Sequence, residues 1–375
     1  MKNNPLNQLE KLGQSIWLDY IRRDIIALLK TMIEDDGLRG MTSNPAIFKE
    51  AIAGSGLYDV EIQSLALKGM DAGAIYAELS RRDVRMACDE FRRVYDKTDA
   101  KDGYVSLEVN PHLANDTGAT IEEARRLWGE VDRPNICIKV PATLEGIPAI
   151  TELIAEGINV NVTLIFGLKR YQSVAQAYVD GVEKRLTKGK DAKRVASVAS
   201  FFVSRIDTLI DPMLEKIIAQ GGADAAAAGQ VLGQVAIANA KLAYQMYKEI
   251  FGSFRFKRLE KRGACVQRVL WASTGVKNPN FKDVKYIEAL IGPNTVNTVP
   301  VDTLNAFRDH GVARSRLEED LDKAADVIDR LPDLGIDFSA LTKQLEDEGV
   351  DKFNKPFDKL LEELAVKARP LQPRS

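Results

Sequence analysis

Eight short runs rich in β-branched residues, separated by stretches of helical periodicity, constrain this chain more than any other feature. They lie at 15–20, 37–45, 104–109, 135–143, 159–166, 194–202, 268–274 and 295–300. The intervening segments read as helices over 22–35, 46–97 with breaks near Gly54 and Gly69, 146–156, 168–187, a long region ending near Ile250, and 301–331. Thr120-Ile121-Glu122-Glu123 has the form of a capping box and opens a further helix. Residues 4–13 form a short polar helix leading in, and the run Lys188 to Arg194 reads as a solvated loop. Strands alternating with helices predict a parallel sheet, and eight is the number that closes a (β/α)8 barrel. The 375 residues exceed the roughly 250 of a plain barrel, which leaves room for extra helices. The expected fold is therefore α/β: a single (β/α)8 TIM barrel spanning 1–375, with 335–375 as a C-terminal helical extension of the same domain that ends in a polar, proline-containing tail.

The fourth run carries the unusual chemistry. In Asn135-Ile136-Cys137-Ile138-Lys139-Val140-Pro141-Ala142-Thr143, period-two alternation puts Lys139 on the face opposite Ile136, Ile138 and Val140, near the strand's carboxyl end. In a parallel barrel that end is the active-site face. A lysine in an apolar strand needs compensation. A desolvated one can lose its proton near neutral pH and attack a carbonyl to form a Schiff base. The other reading is a strand-end lysine that snorkels to solvent.

Composition removes several alternatives. With 52 basic and 54 acidic residues the net charge is −2, and nothing argues for a nucleic-acid partner. Two histidines, His112 and His310, leave little for a histidine metal site or a serine-histidine-acid triad. Neither a phosphate-loop motif nor a dinucleotide fingerprint is present, so neither a metal nor a cofactor is expected. Cys88, Cys137 and Cys265 lack metal-ligand spacing and read as free thiols of a reducing compartment. The polar start Met1-Lys2-Asn3-Asn4-Pro5 lacks a signal core, and no apolar run approaches the ~18 residues of a membrane span. A cytoplasmic protein is expected.

If Lys139 points into the barrel mouth, alternation proposes companions on the other strands. These are Asp19, Thr42 with Asn44, Ser106 with Glu108, then Asn159, Asn161 and Thr163, Ser200, and Ser273. A purely structural barrel core would use branched aliphatic residues here. Each residue also has a plainer reading. Asp19 could cap a helix or pair with an arginine, and Glu108 could merely neutralise the lysine. The asparagines and Thr163 could satisfy strand-end backbone groups, and Arg205 could pair with Asp207 on the surface. Cys137 reads as a small buried residue.

At these residues the sequence resembles the transaldolase family. The matching blocks are Trp17-Leu18-Asp19, Gly40 to Pro45, Val105 to Val109, Ile138 to Thr143, Asn161 to Phe166, and Ser200 to Arg205, in family order. The resemblance implies cofactor-free transfer of a dihydroxyacetone unit between sugar phosphates, from fructose 6-phosphate or sedoheptulose 7-phosphate to erythrose 4-phosphate or glyceraldehyde 3-phosphate. It implies Lys139 as the Schiff-base lysine and Asp19 as the acid/base at the C4 hydroxyl. Glu108 and Thr163 would hold the water that moves protons. Asn44, Asn161 and Ser200, with Thr42 beside them, would grip the three-carbon unit. Arg205 and Ser273 would bind phosphate. Two departures stand out. Many relatives carry arginine soon after the seventh-strand serine, whereas this chain has Ser273-Thr274-Gly275-Val276-Lys277, which makes Lys277 the replacement cation. Many also carry Ser-Pro-Phe on strand six, where this chain has Ser200-Phe201-Phe202.

The nearest rival is a Schiff-base aldolase that releases free dihydroxyacetone. Glu108 argues against it, because fructose-6-phosphate aldolases of this superfamily carry glutamine there. A catalytically silent barrel used for binding is the other rival, and the joint presence of Lys139, Asp19, Glu108 and Thr163 argues against that. Sugar phosphates are the expected partners, and the chain is expected to act as a monomer or homodimer.

Overall fold

The computed structural model describes residues 4–369. The tail expected after residue 369 and the start at 1–3 lie outside them. Eight parallel strands close into one barrel in sequence order: β1 Gln14–Asp19, β2 Gly40–Thr42, β3 Tyr104–Glu108, β4 Ile136–Pro141, β5 Val160–Ile165, β6 Ser197–Phe202, β7 Arg268–Ala272 and β8 Thr295–Val299. This bears out the eight expected strands and the (β/α)8 class. Every strand is buried on both faces, as a parallel sheet clad in helices requires. The strands are shorter than their apolar runs. β2 keeps three residues of the 37–45 stretch, and β6 starts at Ser197 rather than 194.

The outer ring is helical. The helix Ala72–Lys97 buries Ile75, Leu79, Val84, Phe91 and Tyr95 on one side, and its start is capped by Asp71, whose side chain accepts from Ala74 N. The helices Gly146–Glu156 and Leu168–Thr187 match their expected bounds. The expected capping box does not open a helix. Asp116, four residues before Thr120, accepts from Ala119 N at 2.9 Å and starts the helix Thr117–Val131 one turn earlier. Thr120 lies inside that helix and donates to the Leu113 carbonyl. Residues 301–331 are two helices, Val301–His310 and Leu321–Asp329, not one. The C-terminal extension contains a single long helix, Phe338–Lys367.

Below the mouth the barrel is plugged. Arg268, at the start of β7, donates to Asp102 Oδ1 and Ser15 Oγ at 2.8 Å each, and to the Lys101 carbonyl at 2.7 Å. Ser15 and Trp17 of β1 also donate to Asp102. The pair is buried, and further hydrogen bonds from Ser15 and Trp17 to Asp102 and from Arg268 to Ser15 and Lys101 support it, the kind of satisfaction a buried ion pair needs. Trp17 lies flat against Gly40 of β2, where a Cβ would stand 2.6 Å from the indole ring. Only glycine admits that approach. Among the described residues no helix is long and apolar enough to cross a membrane.

Candidate active site

Strand register decides which side chains meet. Glu108 of β3 stands opposite Lys139 of β4, and Lys139 stands opposite Asn161 of β5. Three neighbouring strands thus place a carboxylate, an amine and an amide side by side near the carboxyl end of the barrel. The Lys139 ammonium lies 3.4 Å from Glu108 Oε2 and donates to the Ser43 carbonyl at 3.1 Å. Both side chains are almost fully buried, so the lysine does not snorkel.

Burial pushes the Glu108 carboxyl up to about 7, with the Lys139 charge opposing the rise. Neither carboxylate oxygen has a hydrogen bond within the protein, and the Thr163 hydroxyl is in the same position. Buried polar atoms of this kind call for a function or a bridging water. Glu108 lines a second, neighbouring cavity of about 200 Å3 together with Tyr76, Asn110 and Phe357.

Asp19 ends β1, and its register partner is Thr42 of β2. Thr42 Oγ1 donates to Asp19 Oδ1 at 2.6 Å and lies 2.7 Å from Thr298 Oγ1. A hydroxyl has one proton. Thr42 commits its proton to the carboxylate, so Thr298 must supply the second bond. Burial raises the Asp19 pKa, against the pull of Lys139, the Thr42 hydrogen bond and Arg205. Asp19 neither caps a helix nor pairs with a neighbouring arginine. Arg22 binds Asp24, and Arg23 binds Asp83 and Glu61.

Asn161 is held by two hydroxyls. Its Nδ2 donates to Ser106 Oγ at 3.0 Å, and its Oδ1 accepts from Ser200 Oγ at 2.6 Å. Just beyond, β5 breaks register with β6 between Val162 and Ile165, and Leu164 adopts a left-handed φ of 62°. The bulge re-aims the end of the strand, a common device beside active sites. Asn159 does not join this group. It bonds the Pro134 and Ile136 carbonyls and Ala196 N, filling the strand-start role that alternation could not tell from an inward one.

Arg205 is the second residue of the helix Ser204–Gln220, and its guanidinium stands 5.1 Å from the Phe202 ring centroid. It does not pair with Asp207. That carboxylate is buried and accepts from Ala236 N and Tyr286 OH at 2.8 Å each. Burial draws the Arg205 pKa down, opposed by Asp19, Glu348 and Glu108. Ser273 follows β7 with φ 54°, its hydroxyl 3.0 Å from Ser204 Oγ. This contact locks the loop after β7 against the start of the arginine's helix.

A cavity of about 130 Å3 gathers most of these residues. Asp19, Thr42, Asn44, Lys139, Thr163, Ser200, Arg205, Ser273 and Lys277 all line it. Asn161 and Glu108 stand behind this wall. Asn44 has a second task, since its Oδ1 accepts from Ile47 N at 3.0 Å and caps the helix Pro45–Phe48. Lys277 is exposed, as a cation at a cavity rim would be.

Six lining residues were not foreseen, of which Thr298, Phe202 and Phe353 bring side chains that shape the site. Thr298 was missed because threonine and valine occur on both faces of β8, so alternation gave no contrast. Phe202 belongs to the strand-six departure Ser200-Phe201-Phe202 and had no role assigned to it. Phe353 comes from the C-terminal helix, more than two hundred residues away from Lys139. The signal for it existed: Leu345, Gly349, Phe353, Phe357, Leu360 and Leu364 make one buried stripe at spacings of three and four.

Residues 16–364 match the family described as Transaldolase/Fructose-6-phosphate aldolase. A protein named Transaldolase 2 from Nostoc punctiforme is 49% identical over 380 residues, covering 100% of both chains. Transaldolases from Trichodesmium erythraeum and Acidothermus cellulolyticus are 47% and 49% identical, covering 100% and 95% of each chain. A match of this extent takes in every strand of the barrel and most of the helix that carries Phe353, and by it the chain belongs to the transaldolase/fructose-6-phosphate aldolase family.

Proposed function

We propose that this chain is a transaldolase, moving a dihydroxyacetone unit from a ketose phosphate to an aldose phosphate through an imine on Lys139. The observation that carries this reading is the buried Lys139 amine set beside Glu108, in a cavity that also receives Asp19 and Arg205.

In this reading the Lys139 amine attacks C2 of the ketose, and the carbinolamine loses water to give a protonated imine. Glu108 and Thr163, whose buried oxygens accept no hydrogen bond from the protein, handle that water and its protons. Asp19 takes the proton from the C4 hydroxyl as the C3–C4 bond breaks, and the electron pair runs into the imine. Thr42 and Thr298 hold the carboxylate in line. Asn44, Asn161 and Ser200 bind the hydroxyls of the three-carbon unit left on the lysine. An aldose aldehyde then accepts the carbanion, Asp19 returns the proton, and hydrolysis frees the new ketose.

The phosphate falls to Arg205, at the amino end of a 17-residue helix, joined by Ser273 and by Lys277 at the rim. A helix amino end and a guanidinium together suit a dianion. No cofactor is called on, because the imine itself is the electron sink. The three cysteines are free thiols, which supports action in a reducing cytoplasm, as a monomer or homodimer.

The test is borohydride trapping with fructose 6-phosphate, followed by peptide mass spectrometry. A dihydroxyacetone-sized adduct on the Lys139 peptide, absent in Lys139→Ala and cleared by prior addition of erythrose 4-phosphate, is the expected result. A folded protein that yields no adduct removes the reading.

A further inference from the structure

The Lys139 ammonium lies beside the Glu108 carboxylate and donates to the Ser43 carbonyl. A third neighbour has no part in the chemistry described so far. The Phe353 ring centroid stands 5.2 Å from Lys139 Nζ, the ring is buried, and it forms part of the cavity wall with Thr163, Ser200 and Arg205. The cavity holds about 130 Å3, the liquid volume of roughly four waters. In a space that small, one aromatic ring decides how much solvent reaches the lysine.

The helix bearing Phe353 is tied down on both sides of it. Arg170 grips Glu346 through two bonds of 2.9 and 3.1 Å. Asp358 meets His112 at 2.6 Å, and Lys367 donates to Asp59 and to the Ser55 carbonyl. Gly349, one turn before Phe353, brings the helix backbone onto the β5 bulge. A Cβ there would stand 2.9 Å from Leu164 Cδ2.

We propose that Phe353 is a specificity-determining residue whose ring walls the lysine-bound three-carbon unit off from bulk water, so that the unit passes to an aldose and is not released. The inference rests on the transfer reading above. After C3–C4 cleavage the unit is an enamine whose C3 carries the electron pair. Attack on an aldehyde carbon forms a C–C bond, and the resulting alkoxide takes the proton held by Asp19. Alternatively C3 takes a proton that solvent supplies. Water then adds to the imine carbon, the C–N bond breaks, and dihydroxyacetone leaves with Lys139 restored as the amine. Both routes end in imine hydrolysis, which the water at Glu108 and Thr163 serves. Only the second needs solvent to supply a proton to C3, and the ring stands in its way.

The experiment measures two rates on the full chain: free dihydroxyacetone released from fructose 6-phosphate alone, and sedoheptulose 7-phosphate formed when erythrose 4-phosphate is added. Phe353→Ala should raise the ratio of release to transfer at least tenfold, and Phe353→Leu should return most of it. Glu346→Gln, which loosens the helix without altering any cavity side chain, should shift the ratio the same way by about threefold. A folded Phe353→Ala with an unchanged ratio overturns the wall. Should Phe353→Ala fail to fold, an unchanged ratio in a folded Glu346→Gln overturns it, whereas a raised ratio there supports it. An unaltered protein that forms no sedoheptulose 7-phosphate defeats the transfer reading itself, a result separate from any ratio.

Discussion

The two acids of the site are tuned by the same force toward different tasks. Burial raises both and Lys139 and Arg205 oppose the rise in both, but Asp19 also keeps the Thr42 hydroxyl donor, while Glu108 is pushed further up by the Asp19 charge. Because Glu108 titrates at about 7, kcat/KM should fall on the acid side of neutrality as the carboxylate is protonated. Glu108→Gln should lower activity by about 10²–10³ and remove that limb, which a pH–rate profile reads. Stability should respond with the opposite slope. The folded-state pKa lies above the ordinary 4.5, so between about pH 4.5 and 7 the unfolded chain gives up this proton first, and folding is weakened as pH rises. Urea titrations at pH 5 and pH 8 should therefore show the Glu108→Gln variant gaining on the parent at the higher pH. Asp19→Asn should leave imine formation intact and block cleavage. Borohydride would then trap a whole fructose 6-phosphate adduct in place of the three-carbon one. At this scale the sequence was informative where alternation was clean. Lys139, Glu108 and Thr163 were read from contrast with branched neighbours, and Thr298 and Asn159 were misplaced or missed where the contrast failed.

At the scale of the element, helices with clear periodicity between two apolar strand runs were legible, as at 146–156 and 168–187. Those with competing signals were not. Asp116 beat the capping box at Thr120 because it lies a turn earlier and its side chain reaches Ala119 N. The C-terminal helix is continuous despite Pro356, which removes one backbone donor and kinks more often than it ends so long a run. Packing of its apolar stripe outweighs that loss. Among the strands, β2 is the shortest in the barrel, and Gly40 admits the Trp17 ring against it. Gly40→Ala should destabilise the fold by about 1–3 kcal/mol through overpacking, seen as a lower denaturation midpoint with an unchanged slope. The Trp17 contact could not be read from sequence, since it depends on the register of β1 with β2.

Taken as a whole, the molecule puts chemistry at one end of its barrel and stability at the other, the division this architecture favours. Arg268 and Asp102 belong to the second end. Replacing Arg268 by Met should cost about 3–5 kcal/mol, because Asp102 is then buried without its cation. Adding Asp102→Asn to that variant should recover part of the loss, which a double-mutant cycle of unfolding free energies checks. Neither member was singled out in the sequence. Arg268 opens an apolar run, Asp102 sits in a loop, and 166 positions separate them.

The pairing that closes the barrel joins its first strand to its last. Gln14 bonds the Leu290 carbonyl and Thr295, so β1 cannot find its second neighbour until nearly three hundred residues exist. Phe353 arrives later still. During synthesis, which runs from the amino end at about 5–20 residues per second, Lys139 leaves the ribosome several seconds before the strand that closes the sheet around it and the ring that covers it. A nascent chain therefore exposes Lys139 until those elements arrive. The speed of translation across the last third of the message sets how long that exposure lasts.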